Sequence, residues 1–217
     1  MFDNIIISER LISFLIFIPL FLLSVSVHEY AHAYIAYKKG DPTAKNLGRM
    51  TLNPLKHADL IGTLIVPLVS FFSGFALIGW AKPVPIDRRY FKNPLKDDAL
   101  VSAAGPASNF LLSLVFLFLL SAILKFSINS DSIWIALLWY GVFFNVFLFL
   151  FNMLPFPPLD GSHILFDLFP GKFTAKIMSL GFYGSILLLL FIYSPLWSYF
   201  MEIVNYILKF MLTIAGV

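Results

Sequence analysis

Five apolar runs divide the chain, at 11–37, 99–124, 133–154, 177–193 and 196–214. Each approaches the roughly 20 residues with which a helix crosses a hydrocarbon core of about 30 Å. Only Ser194 and Pro195 separate the last two, which predicts a tight helical hairpin. A sixth run at 60–80 contains Pro67, Gly74 and Gly79 and does not read as a plain spanning helix. Its flanks are equally basic: Lys38, Lys39, Lys45, Arg49 and Lys56 precede it, and Lys82, Arg88, Arg89, Lys92 and Lys96 follow. A single crossing would put one of these loops outside, against the positive-inside tendency, so a re-entrant segment is expected. The N-terminus is then outside. Helix 11–37 descends to the cytoplasm, helix 99–124 rises and helix 133–154 descends again, which brings the ends of the first and third together.

Composition fixes the solvent. Of 217 residues, 59% are hydrophobic and 12% charged, against roughly 25% charged in soluble domains. A soluble chain of this size has too little polar surface to cover so much apolar area. The net charge of +3 sits in the loops and reads as membrane orientation, with no nucleic-acid partner. The first basic residue is Arg10, and the apolar run after it leads straight into a polar group, so no cleavable leader is expected. Cysteine is absent, which excludes disulfides, thiolate metal sites and a cysteine nucleophile. Any metal must therefore be held by carboxylates and the four histidines, His28, His32, His57 and His163.

That polar group is His28-Glu29-Tyr30-Ala31-His32. On a helix, residues i and i+4 share a face, so both imidazoles can meet one zinc ion while Glu29 takes a proton from water. Charged groups within a membrane helix are costly and usually functional. Catalytic zinc normally has three protein ligands. The metzincin pattern fails because Ile35 and Lys38 stand where Gly and His are required. A downstream glutamate ligand fails because the only later Glu is Glu202, in the last run. Asp160 is the leading candidate. It follows an apolar helix and the prolines Pro155, Pro157 and Pro158, which force an extended path, and Gly161 allows a turn. It also reads as a turn aspartate capping a short helix, with His57 or His163 as the alternative ligand and His163 also placed to orient Asp160.

Four stretches carry a resemblance to the site-2 protease family, in its short bacterial and archaeal branch. They are Val27–Ala33, Leu52-Asn53-Pro54-Leu55-Lys56-His57, Ala104-Gly105-Pro106-Ala107-Ser108-Asn109, and Asn152 through Gly161. The resemblance implies a zinc metalloendopeptidase with one Zn2+ per chain. Its metal ligands would be His28, His32 and Asp160, with Glu29 catalytic and Asn109 stabilising an oxyanion or positioning substrate. It also implies short membrane-associated strands within 40–98, with Gly79–Pro85 as an edge strand, and no room for a PDZ or CBS domain. The expected fold is an all-α polytopic membrane protein of about five to six transmembrane helices, with a re-entrant or short β-strand element in 40–98. It forms a single domain over 1–217. The expected partner is a transmembrane protein substrate cut within or near its membrane segment. The expected location is a prokaryotic cytoplasmic membrane, with the active site towards the cytoplasm.

Two rivals remain. A metal transporter would line a path with intramembrane His and Asp. The zinc-transporter pattern, however, needs Pro-His-Glu after its His-Glu pair, and helix 133–154 offers only Asn145 and Asn152 among its polar residues. A non-cleaving relative would have a damaged motif, and this one is intact.

Overall fold

The computed structural model describes residues 2–73, 79–126 and 133–217. The helices are α1 (Phe2–Lys38), α2 (Thr43–Asn46), α3 (Val66–Ser73), α4 (Pro94–Phe126), α5 (Ile133–Asn152), α6 (Asp160–Leu168), α7 (Lys172–Met178), α8 (Phe182–Ile192) and α9 (Leu196–Ala215). Among the described residues there is no strand. Three helical stretches are long and apolar enough to cross a membrane: Phe14–Lys38, Pro94–Phe126 and Ile133–Asn152. They correspond to three of the expected runs.

Among the described residues three such stretches, or four with a bent pair, stand beside the expected five to six. The run at 177–193 breaks at Gly181, whose φ of 48° turns the chain. The pair Lys172–Met178 and Tyr183–Ile192 is bent by 87° and makes at most one further span. Helix α9 carries Glu202 and Lys209 and is amphipathic, burying Phe200, Val204, Leu208 and Met211 at helical spacing. That stripe joins Ile16 and Leu20 of α1, Phe116, Leu117 and Leu120 of α4, and Leu138, Val142 and Val146 of α5 in one core. In a bilayer such a core is held by close packing more than by expulsion of water. Gly141 serves that packing, since a Cβ there would lie 2.7 Å from the Phe116 ring.

The expected strand at 79–85 is an extended segment without a ladder. Pro83 and Pro85 have no N–H to give, and the remaining backbone groups find scattered partners. The Lys82 N–H donates to the His57 carbonyl at 2.9 Å. The Arg49 guanidinium donates to the Lys82 carbonyl at 2.7 Å, and the Asp87 N–H donates to the buried Asp41 carboxylate at 2.8 Å. The 60–80 run begins as a π-helical turn, Leu60–Ile65, started by Asp59, whose carboxylate accepts from the Ile61 and Gly62 N–H groups. The chain comes back beside its own start: the Trp80 N–H donates to the Gly62 carbonyl at 3.1 Å. The Thr63 hydroxyl donates to the Trp80 carbonyl at 2.9 Å. Residues 74–78 of this run lie outside the described residues.

Candidate metal centre

Helix α1 presents His28 and His32 on one face, both buried. Asp160 opens α6, where the helix N-terminus favours a carboxylate. Gly161 brings that helix start against the end of α5, since a Cβ there would lie 2.3 Å from the Met153 carbonyl oxygen. Three ligand residues result. His28 Nε2 and His32 Nε2 are 2.9 Å apart, His28 Nε2 is 3.2 Å from Asp160 Oδ2, and His32 Nε2 is 3.4 Å from Asp160 Oδ1. A tetrahedral zinc with ligand bonds of 2.0–2.1 Å places its ligands about 3.3 Å apart. Among the described residues this is the one group of His and carboxylate atoms gathered closely enough to hold a metal.

The hydrogen-bond network decides which protons are present. His32 Nδ1 lies 2.7 Å from the Val101 carbonyl, which can only accept, so this nitrogen carries a proton and the neutral ring presents a bare Nε2. Asn109 does the same for His28. Its Nδ2 donates to the Ser24 carbonyl at 3.1 Å and to Asn145 Oδ1 at 3.0 Å. Its Oδ1 therefore faces His28 Nδ1, 2.7 Å away, and takes that proton. With both rings neutral, two bare imidazole nitrogens and a carboxylate converge on one point. Asp160 Oδ2 is buried without a hydrogen-bond partner. Three acceptors this close repel one another unless a cation joins them, so the donor set fits zinc.

Glu29 is buried beside them, and its Oε2 accepts from the Val84 N–H at 2.7 Å. His28, Glu29, His32 and Asp160 line a cavity of about 610 Å3, walled on another side by the extended segment through Trp80 and Val84. Gly105 explains why α4 can approach: a Cβ there would lie 2.2 Å from His32 Nε2 and 2.6 Å from His28 Cε1.

Asn109 lies in the site, fully buried, with its Oδ1 towards His28 and both of its N–H groups bonded to Ser24 and Asn145. His163 does not orient Asp160. Its Nδ1 lies 3.0 Å from Arg88 Nη2 and 3.7 Å from Asp98 Oδ2. His57 is away from the ligands, 2.8 Å from the Thr51 carbonyl through Nε2. Sequence reasoning missed the Arg88 group. Arg88 pairs with Asp98 and reaches Asp167 at 3.5 Å, and Arg88, Asp98 and His163 line the same cavity. Burial and the Asp98 carboxylate push the Asp167 carboxyl up to about 7, with Arg88 opposing them.

The profile of Peptidase family M50 matches residues 16–130 and 121–192, most of the chain. This chain belongs to peptidase family M50. Two curated relatives are both named "Putative zinc metalloprotease". YwhC of Bacillus subtilis (strain 168) is 44% identical over 189 residues, 82% of this chain and 80% of that protein. Rip2 of Mycobacterium tuberculosis (strain H37Rv) is 35% identical over 153 residues, 68% of this chain and 55% of that protein. No solved structure matches. The M50 chain is a zinc metalloprotease resembling the site-2 proteases, and an integral membrane protein.

Proposed function

We propose that this single-domain M50 protein cuts a peptide bond within or near the transmembrane segment of a membrane-anchored protein. His28, His32 and Asp160 hold the zinc and Glu29 is the general base. The observation that carries this reading is the convergence of His28 and His32, on a helix apolar enough to span, with Asp160 from the start of α6, beside the buried Glu29. Bound zinc supplies Lewis acidity for polarising a carbonyl.

The chain's own residues do the rest. Glu29 accepts a proton from the attacking water and passes it to the leaving amine. The Val84 N–H holds one Glu29 oxygen at 2.7 Å, which aims the carboxylate. Asn109 orients His28, in place of donating to an oxyanion. A substrate helix must unwind before it can be cut, because its amides are paired within its own ladder. The extended segment 79–87, facing the ligands across the cavity, is the platform for the unwound stretch by strand addition.

Return of the 60–80 run to Gly62 at Trp80 supports a re-entrant segment. With the basic flanks on one side, it supports a site opening towards the cytoplasm of a prokaryotic cell.

The test is purified protein in liposomes with a membrane-anchored reporter, the products being mapped by mass spectrometry. Zinc-dependent cleavage in or beside the reporter's membrane segment, absent in Glu29→Gln, is the expected result. Cleavage confined to soluble peptides would overturn the proposal.

A further inference from the structure

Helix α5 is almost entirely apolar, yet it carries Asn145 in its interior at 0% exposure. A carboxamide among apolar side chains in a membrane helix is expensive and is usually retained for a partner. Its partners form a chain whose direction is set at both ends. Asn145 Nδ2 donates to the Gly141 carbonyl at 2.9 Å, and a carbonyl can only accept, so Asn145 Oδ1 is left for Asn109. Asn109 Nδ2 gives one hydrogen to that oxygen at 3.0 Å and the other to the Ser24 carbonyl at 3.1 Å. Asn109 Oδ1 is then the atom that meets His28 Nδ1 at 2.7 Å.

We infer that Asn145 is a positioning residue for the zinc site: it locks the Asn109 carboxamide in the one orientation that leaves His28 Nε2 bare. This rests on the reading of His28 as a zinc ligand. If the Asn109 amide turned over, its oxygen would face two acceptors, Ser24 O and Asn145 Oδ1. Its NH2 would then face His28 Nδ1, and the imidazole proton would move to Nε2, where it blocks metal binding. Ser24 holds the amide through one bond and Asn145 through a second, so loss of Asn145 halves the bias and leaves an unpaired N–H in an apolar interior. Asn145 thus acts on the metal from another helix through Asn109 alone. Helices α1, α4 and α5 each contribute one link.

The experiment measures zinc dissociation constants in detergent by competition with a chromogenic chelator. The proteins are wild type, Asn145→Leu, Asn109→Leu, the double variant and His28→Ala. Loss of an outer partner of a metal-bound histidine lowers affinity about 10–100-fold. Asn145→Leu is expected near the lower end, about tenfold, with no further loss when Asn109 is already Leu. A packing role alone would give the same loss in both backgrounds. Asn145→Thr is the variant less disruptive to folding, because its hydroxyl bonds the Gly141 carbonyl four residues back, and it is expected to weaken zinc similarly. Wild-type affinity in both Asn145 variants, with zinc lost in His28→Ala, would overturn the inference and leave the ligand assignment standing. Equal losses in the two Asn109 backgrounds would overturn it as well. Zinc retained by His28→Ala would remove the ligand reading on which the inference rests.

Discussion

Replacing Gly105 by alanine puts a methyl carbon where the two imidazoles already are. Its Cβ would lie 2.2 Å from His32 Nε2, 2.5 Å from His32 Cε1 and 2.6 Å from His28 Cε1. Ordinary contact begins near 3.5 Å, so the rings and α4 must separate by more than about 1 Å. Neither ring moves freely. Each is fixed through Nδ1 by a 2.7 Å bond, His28 to Asn109 and His32 to Val101. Breaking one such bond weakens metal binding about 10–100-fold, so loss of both gives about 10²–10⁴. The expected sign in stability is also distinctive. At an unobstructed helix position Gly→Ala stabilises by about 1 kcal/mol, whereas overpacking here destabilises by about 1–3 kcal/mol. Zinc affinity by chelator competition and thermal denaturation of the zinc-free protein read the two effects separately. A Gly105→Ala protein that binds zinc like wild type and melts higher would refute the close approach of α4 to the ligands.

Glu29→Gln keeps an oxygen for the Val84 N–H but cannot accept a proton, so zinc content is expected to be unchanged while kcat falls about 10²–10⁴-fold; unchanged turnover would remove Glu29 as the base. Asp167 has a folded pKa of about 7, above its ordinary 3.8, so the native state keeps a proton that the unfolded chain releases. Its contribution to stability is therefore fully present below about pH 4 and is lost as pH rises towards about 7. In thermal melts across that window, wild type is expected to lose stability relative to Asp167→Asn; a constant difference would contradict the placement of Asp167 beside Asp98 and Arg88.

Legibility in the sequence followed the range of the interaction. The His28–Glu29–His32 face was readable because helix geometry alone brings i and i+4 together. The α1, α4 and α5 spans were readable because apolar length is a local property. Asp160 was narrowed by elimination and by the resemblance, since its meeting with α1 depends on how α6 starts against α5. The turning of Asn109 towards His28 was hidden. It depends on Ser24 O and Asn145, which lie on two other helices. Asn145, the asparagine in the interior of the 133–154 run, was the available signal for that network. The strand expected at 79–85 failed because its backbone groups bond to His57, Arg49 and Glu29 and pair with no neighbouring strand. The run at 177–193 looked continuous in hydropathy, and its bend at Gly181 is a backbone property that hydropathy does not report.

The most direct test of the three-ligand site is the zinc content of detergent-purified wild type, Glu29→Gln and Asp160→Ala. About one zinc per chain is expected in the first two, with most of it lost from the third. An Asp160→Ala protein that keeps its zinc would contradict the site and leave Asp160 as a helix-start aspartate.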